Sequence, residues 1–399
     1  MSEHLLQAVF ARRLEERRER NTYREQRIID ANSQLIDFSG NDYLGLAKHP
    51  ALQEAGVLAL EQYGSGAKAS HLVSGHLEVH AQLEDKLAKF TKRDAALVFS
   101  SGYMANVGVI GALIGAEQSF KRRGSGAARN TTWTIFQDKL NHASLIDAIA
   151  LSNVASKRYR HSDVRHLETL LADCKSPFKL VVTDGIFSMD GNRAPVEELA
   201  AICKRYDAML MVDDAHGLGA VGRCGGGTLA LEHCSQGDVP ILVGTFGKSF
   251  GCAGAFVAGP SVLIEGLIQF ARTYIYTTAM PPANAAMAAR ALALIEEDEG
   301  IQLREKLARN IRYFREQIEE RRLAFKLLPS ASAIQPLIIG DNETALKLAH
   351  SALNKELLLC AIRAPTVPEG TARLRIALSA AHNFSQIDRL CDFLMEEGR

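Results

Sequence analysis

The 399-residue chain lacks a surplus of either charge, a patterned set of cysteines and any long apolar run. Lysines plus arginines and aspartates plus glutamates number 46 each, so no global field draws the protein to nucleic acid or an anionic membrane. Any charged ligand must be met locally. The seven cysteines are odd in number and scattered without a C-x-x-C pair, which reads as reduced core thiols rather than a disulfide framework or a metal site. No segment approaches the roughly 20 apolar residues that span a bilayer. The opening "MSEHLLQAVFARRLEERRER" mixes Glu3, Glu15, Glu16 and Glu19 among its arginines, unlike a signal or transit peptide. The expected location is cytoplasmic.

What is present is a mixed α/β texture. From Leu77 onward, short apolar runs ("AALVFS", "WTIF", "KLVVTDGIF", "AMLMVDD", "ILVGTF", "GAFVAG") are separated by amphipathic stretches such as "PVEELAAICKRY". That alternation predicts a mostly parallel central sheet with helices on both faces. The stretch "GSGAKASHLVSGH" is too rich in glycine and serine for a helix. After Pro281-Pro282 the texture changes to long helices and then a smaller C-terminal αβ region. We expect an N-terminal helix and short strand over 1–45, a large domain over 46–290 and a small domain over 291–399. The basic, glycine-rich stretch from Ser119 to Trp133 reads as an exposed loop, with a binding role open.

The central question is Lys248 in "ILVGTFGKSFGCAGAF". Gly247-Lys248-Ser249 could close a P-loop, but the first glycine of that motif would fall on Leu242, and the acidic strand "AMLMVDD" precedes the lysine instead of following it. A covalent anchor for pyridoxal 5'-phosphate accounts for more residues. That cofactor needs a lysine for a Schiff base and a carboxylate to keep its ring nitrogen protonated, and Asp213, Asp214 and His216 sit at the end of a predicted strand. "FSSGYMAN" offers a phosphate cup at Ser100, Ser101 and Gly102, where a strand gives way to a helix. Thr245 could add a hydroxyl, and His142, at a strand end and helix start, could stack on the ring.

With "NDYLGL", "SGYMAN", "DKLNHASLIDA", "TDGIFSMDGNRAP", "VDDAHGLGAVG", "GTFGKSFG", "YTTAMPP" and "PTVPEGTARLRIALSAAH", the chain resembles the α-oxoamine synthases from Asn41 to His382. The resemblance implies a pyridoxal-phosphate enzyme of aspartate-aminotransferase-like fold (fold type I) that condenses an amino acid with an acyl thioester and releases carbon dioxide. It is best to the members that join L-alanine to a pimeloyl thioester, carried by coenzyme A or acyl carrier protein. A member using glycine and an acetyl thioester is the nearest alternative. The resemblance assigns Lys248 to the Schiff base and to proton transfer, Asp213 to the ring nitrogen, His216 and Ser188 to the ring oxygen, and His142 to stacking. Gly102, Tyr103 and Thr245 would touch the cofactor. A homodimer is implied in which Thr277 or Thr278 reaches the neighbouring subunit's phosphate.

Guanidinium holds a carboxylate with two parallel hydrogen bonds, so arginines should select the substrate. The resemblance gives Arg375, with Asn41, to the amino-acid carboxylate. Arg363 and Arg20 would meet the far carboxylate of the acyl chain, and Thr366 would line its channel. At Arg20 the match depends on register, since "RRERNTYRE" offers several arginines. Two features depart from the family: "GSGAKAS", which puts Lys68 where glycines are usual, and the Ser119 to Trp133 stretch, which looks inserted.

Overall fold

The alternating runs form a seven-stranded sheet in the computed structural model, which describes residues 2–121 and 132–398. The sheet belongs to a large unit, Asn41–Ser188 with Asn192–Lys306. Its strands are β1 (Ala95–Phe99), β2 (Trp133–Asp138), β3 (Ala155–Tyr159), β4 (Phe178–Asp184), β5 (Met209–Asp213), β6 (Ile241–Thr245) and β7 (Ala255–Gly259), ordered β1-β7-β6-β5-β4-β2-β3. Only β7 runs against its neighbours, so the sheet is mostly parallel. Every residue of β2 and β7 is buried, as helices on both faces require. One core gathers Phe99, Val109, Ile135, Val182, Met211 and Val257. Each such side chain contributes about 1.5–3 kcal/mol when fully buried.

Register is what positions the site. Asp184 at the end of β4 lies opposite Asp213 on β5, and Asp213 opposite Val243 on β6. The carboxyl ends of three parallel strands are therefore level, and their polar residues converge on one edge.

Several elements of the large unit were not expected, among them one strand and one turn. β3 carries Lys157 and Arg158 and has an exposed start, so it lacks an apolar run; as the outermost strand it needs only one buried face. The segment His71–Gly75, expected to be non-helical, is a π-helical turn in which Gly75 N–H donates to Ser70 O at 3.0 Å. A Cβ at Gly75 would stand 2.0 Å from Ala69 O, so only glycine closes the turn.

Behind this turn, nitrogens of His71, His76 and His80 lie within 4.8 Å of one another. They are engaged by hydrogen bonds. His71 Nδ1 faces His76 Nδ1 at 2.9 Å, His80 Nδ1 accepts from Leu77 N–H at 3.0 Å, and His80 Nε2 bonds Met280 O at 2.8 Å. Burial lowers the His71 pKa to about 3. Beside them, burial raises that of Glu84 to about 7.

The small unit comprises Met1–Gly40, Met189–Gly191 and Leu307–Arg399. Its four-stranded antiparallel sheet is built mainly on Ile334–Gly340 and Ala372–Ala377, and a two-residue strand Ile36–Asp37 pairs in parallel with Leu357–Leu358. The helix Phe384–Glu397 opens on a capping box between Asn383 and Gln386. The division differs from the expected 1–45, 46–290 and 291–399. Residues 1–40 join the C-terminal region through that strand pair, and the boundary falls at Lys306/Leu307, inside the helix Asp298–Glu320. Beyond it, Asn310 Nδ2 donates to the carbonyls of Ser379 and His382 at 2.9 and 3.0 Å. Of the stretch expected to be a loop, Ser119 to Lys121 end the helix Gly102–Lys121, Trp133 begins β2, and 122–131 lie outside the described residues.

Candidate active site

Lys248 stands in the connection between antiparallel β6 and β7. A P-loop places its lysine at the start of a helix, where free N–H groups meet phosphate. Here a strand follows instead, and Ser249 is fully buried, so the nucleotide reading fails on topology. Lys248 is half-buried, and its charge adds to the effect of burial on His142 and opposes it on Asp184.

Asp213 is buried, with Oδ1 accepting from Ala215 N–H at 3.1 Å and Oδ2 from Asn106 Nδ2 at 2.7 Å. Asn106 Nδ2 also donates to Ser144 Oγ at 2.8 Å, and Ser144 Oγ lies 2.8 Å from His142 Nδ1. His142 caps the helix Ala143–Ser152, and its own N–H donates to Asp184 Oδ2 at 2.7 Å. Burial holds the imidazole below its usual pKa; the Asp213 carboxylate opposes this and Lys248 reinforces it. Burial also raises Asp184 well above the carboxylate range, helped by Asp213.

His216 is fixed by Tyr43, whose hydroxyl lies 2.7 Å from His216 Nδ1 and 3.1 Å from Asn41 Oδ1. Ser188 is half-buried at the end of the segment that follows β4. Gly102 and Tyr103 open the helix Gly102–Lys121, whose first N–H groups have no partners within the helix. A Cβ on Gly102 would meet nothing within 4 Å, so the cup is open there. Tyr103 donates its hydroxyl to Asp147 at 2.8 Å. Thr245 Oγ1 donates to Gly254 O at 3.0 Å and accepts from Gly247 N–H at 3.2 Å, so its single proton serves its own loop. Thr277 is half-buried and Thr278 exposed.

The small unit holds the arginines. Arg375 is buried on the strand Ala372–Ala377. Arg363 donates to Asn21 O at 2.7 Å and Tyr23 O at 3.2 Å. Arg20 is exposed, and it is Arg24 whose guanidinium reaches Thr366 Oγ1, at 3.4 Å. Arg373, not singled out in the sequence, pairs with Asp190 at 2.7 Å.

Asn106, Ser144, Tyr43 and Asp184 were missed as site residues, although all four lie inside quoted motifs. The signal available was position: Asn106 is one helical turn past the cup, and Ser144 two residues past a capping histidine. Asp214 has a structural place instead. It is fully buried, its Oδ2 accepts from Thr228 N–H at 2.7 Å, and burial raises its pKa to about 7. Cβ atoms on Gly185, Gly217 and Gly227 would come within 2.4, 2.1 and 2.0 Å of its oxygens.

The donor set of the large unit fits pyridoxal 5'-phosphate: an amine, a buried carboxylate fixed by neutral donors, an imidazole held through Nδ1 and an open helix N-terminus for a dianion. Residues 33–394 match the family of class I and II aminotransferases. An 8-amino-7-oxononanoate synthase of Marinobacter nauticus is 50% identical over 390 residues, covering 96% of this chain and 94% of that protein. A solved serine palmitoyltransferase from S. paucimobilis, with PLP and myriocin bound, is similar at TM-score 0.83 and 31% identity over 92% of this chain and 87% of that one. The solved 8-amino-7-oxononanoate synthase of Francisella tularensis is similar at TM-score 0.75 and 31% identity over 91% and 98%.

Proposed function

The chain belongs to the class I and II aminotransferase family and, within it, to the 8-amino-7-oxononanoate synthases, and from that premise we propose residue roles for the reaction. It condenses L-alanine with a pimeloyl thioester, releasing thiol, carbon dioxide and 8-amino-7-oxononanoate for biotin biosynthesis. The observation that carries this reading is the convergence of Lys248, Asp213 and His142 in a chain that matches such a synthase over 96% of its length. Bound pyridoxal phosphate supplies an electron sink for a carbanion at the amino-acid α-carbon.

Lys248 Nζ would hold the cofactor aldehyde, and the same amine is the base placed to move the α-proton of alanine. Asp213 keeps the ring nitrogen protonated, and Asn106 and Ala215 hold its oxygens in place for that task. His142 covers the ring, and His216, steadied by Tyr43, takes the ring oxygen with Ser188. Gly102 and Tyr103 offer backbone N–H groups to the phosphate. Thr245 fits there as a phosphate donor only if its proton leaves Gly254 O.

Arg375 takes the amino-acid carboxylate, and Asn41 contributes its Nδ2, a donor of the polarity a carboxylate needs. Arg363, Thr366 and an arginine of the N-terminal segment, Arg20 or Arg24, select the distal carboxylate. Arg363 works there through the segment it ties down. The thioester carrier is coenzyme A or acyl carrier protein, the working form is a homodimer with Thr277 or Thr278 crossing to the neighbouring phosphate, and the location is cytoplasmic. Among the described residues no helix is long and apolar enough to cross a membrane.

The test is to supply alanine or glycine with a panel of acyl thioesters and follow thiol and carbon dioxide. Release with alanine and pimeloyl thioester is expected; preference for glycine and an acetyl thioester would replace the substrate assignment with the glycine-using alternative.

A further inference from the structure

The hydrogen bonds around Asn106 have a direction. Its side chain is fully buried and Nδ2 uses both protons, one on Asp213 Oδ2 at 2.7 Å and one on Ser144 Oγ at 2.8 Å. Its Oδ1 is buried without a partner among the described residues. The opposite orientation would set a carbonyl oxygen against the Asp213 carboxylate, so that charge fixes which way the amide points. At the far end, Ser144 N–H donates to His142 Nδ1 at 3.2 Å. A backbone N–H can only donate, so Nδ1 carries no proton and the neutral imidazole bears its proton on Nε2. Ser144 Oγ, accepting from Asn106, has its own proton to give to the same nitrogen, 2.8 Å away. Asp213, Asp147, Lys248 and Asp184 are titratable groups near this imidazole.

We infer that Asn106 is a positioning residue that sets proton locations on both groups assigned to the cofactor ring. It keeps Asp213 an acceptor-only carboxylate aimed at the ring nitrogen and, through Ser144, supports the Nε2–H form of His142. The step toward the ring nitrogen rests on the cofactor reading above; the hydrogen-bond order belongs to the chain itself.

The decisive comparison uses pyridoxal phosphate and its 1-deaza analogue, which has carbon in place of the ring nitrogen. Asn106→Leu should weaken binding of pyridoxal phosphate by about 10- to 100-fold, the scale of one hydrogen bond to a charged group, and that of the analogue by less than about twofold. Equal losses would mean that Asn106 merely supports the fold and would overturn the proposal. Asn106→Ala in the same comparison serves if the leucine variant does not fold. Ser144→Ala, which cuts only the arm to His142, should keep the nitrogen-dependent difference intact. Independently of any cofactor, ¹⁵N-histidine spectra of the apoprotein, with His142 assigned by His142→Gln, should show an unprotonated Nδ1. A protonated Nδ1 overturns the hydrogen-bond order even if the cofactor reading stands. Failure to bind pyridoxal phosphate at all would sink that reading while the spectra still decide the order.

Discussion

The two units secure their polar side chains by different means. In the large unit, Asp184, Asp213 and Asp214 stand at adjacent strand ends and are held by fixed donors: the N–H groups of His142, Ala215 and Thr228 and the buried amide of Asn106. In the small unit, Arg363 and Arg24 are tied to or offered from an N-terminal segment whose residues 24–34 are exposed. The groups proposed to handle protons thus rest on the sheet, whereas those proposed for recognition are tied to a segment held by a few hydrogen bonds. Chemistry and substrate choice should fail separately.

The largest expected break of that contrast is Lys248→Ala. Losing covalent anchor and proton shuttle together should lower turnover by about 10⁴-fold, the upper range for a positioned acid–base group, while pimeloyl thioester binding stays within a few-fold. Steady-state kinetics with calorimetric thioester binding checks both halves. In the unmutated protein, borohydride reduction and mass spectrometry should find the cofactor on the Lys248 peptide.

Next in size is a stability effect peculiar to the large unit's buried charges. Burial raises the Glu84 pKa from 4.5 to about 7, so the folded state keeps a proton that the unfolded chain has lost. The contribution of this group to stability therefore falls as pH rises from about 4.5 to about 7. Glu84→Gln keeps the acceptor for Val98 N–H, 2.9 Å away in the parent, and removes the charge. Relative to the parent it should gain nothing at pH 4 and up to about 3 kcal/mol by pH 8, read from denaturant unfolding at both pH values. A gain that shrinks with rising pH would reverse the assignment.

The smallest effects belong to the small unit. Arg363→Ala should raise KM for pimeloyl thioester by about 10-fold, within the range for charge-assisted hydrogen bonds, and leave kcat near the parent value. Arg20→Ala should shift it by less than about threefold and Arg24→Ala by more, since only Arg24 reaches Thr366. Equal losses with an acetyl thioester would remove the distal-carboxylate role.

Legibility in the sequence followed the same divide. Buried parallel strands announce themselves as unbroken apolar runs, and strand ends locate Asp213, His216 and Lys248 before any coordinates. β3 escaped because an edge strand with Lys157 and Arg158 has no such run. Asn106 and Ser144 escaped because a polar residue on a helix has no local mark of which buried carboxylate or imidazole it meets across the fold. The short N-terminal strand was expected, but its partner escaped because Ile36–Asp37 pairs with positions more than 300 residues away, a relation that no local pattern encodes.

The three glycines around Asp214 carry a consequence for inheritance. Gly185, Gly217 and Gly227 are scattered along the chain, yet at each a Cβ would collide with the same carboxylate. A lesion at Gly217 can therefore have an intragenic suppressor at codon 214, where a smaller residue vacates the contested volume, whereas at Gly185 Thr228 Oγ1, 2.7 Å from a Cβ, would still stand in the way. Gly227 is different: its φ of +77° penalises any side chain whatever stands at 214, so it should appear as a position without that suppressor.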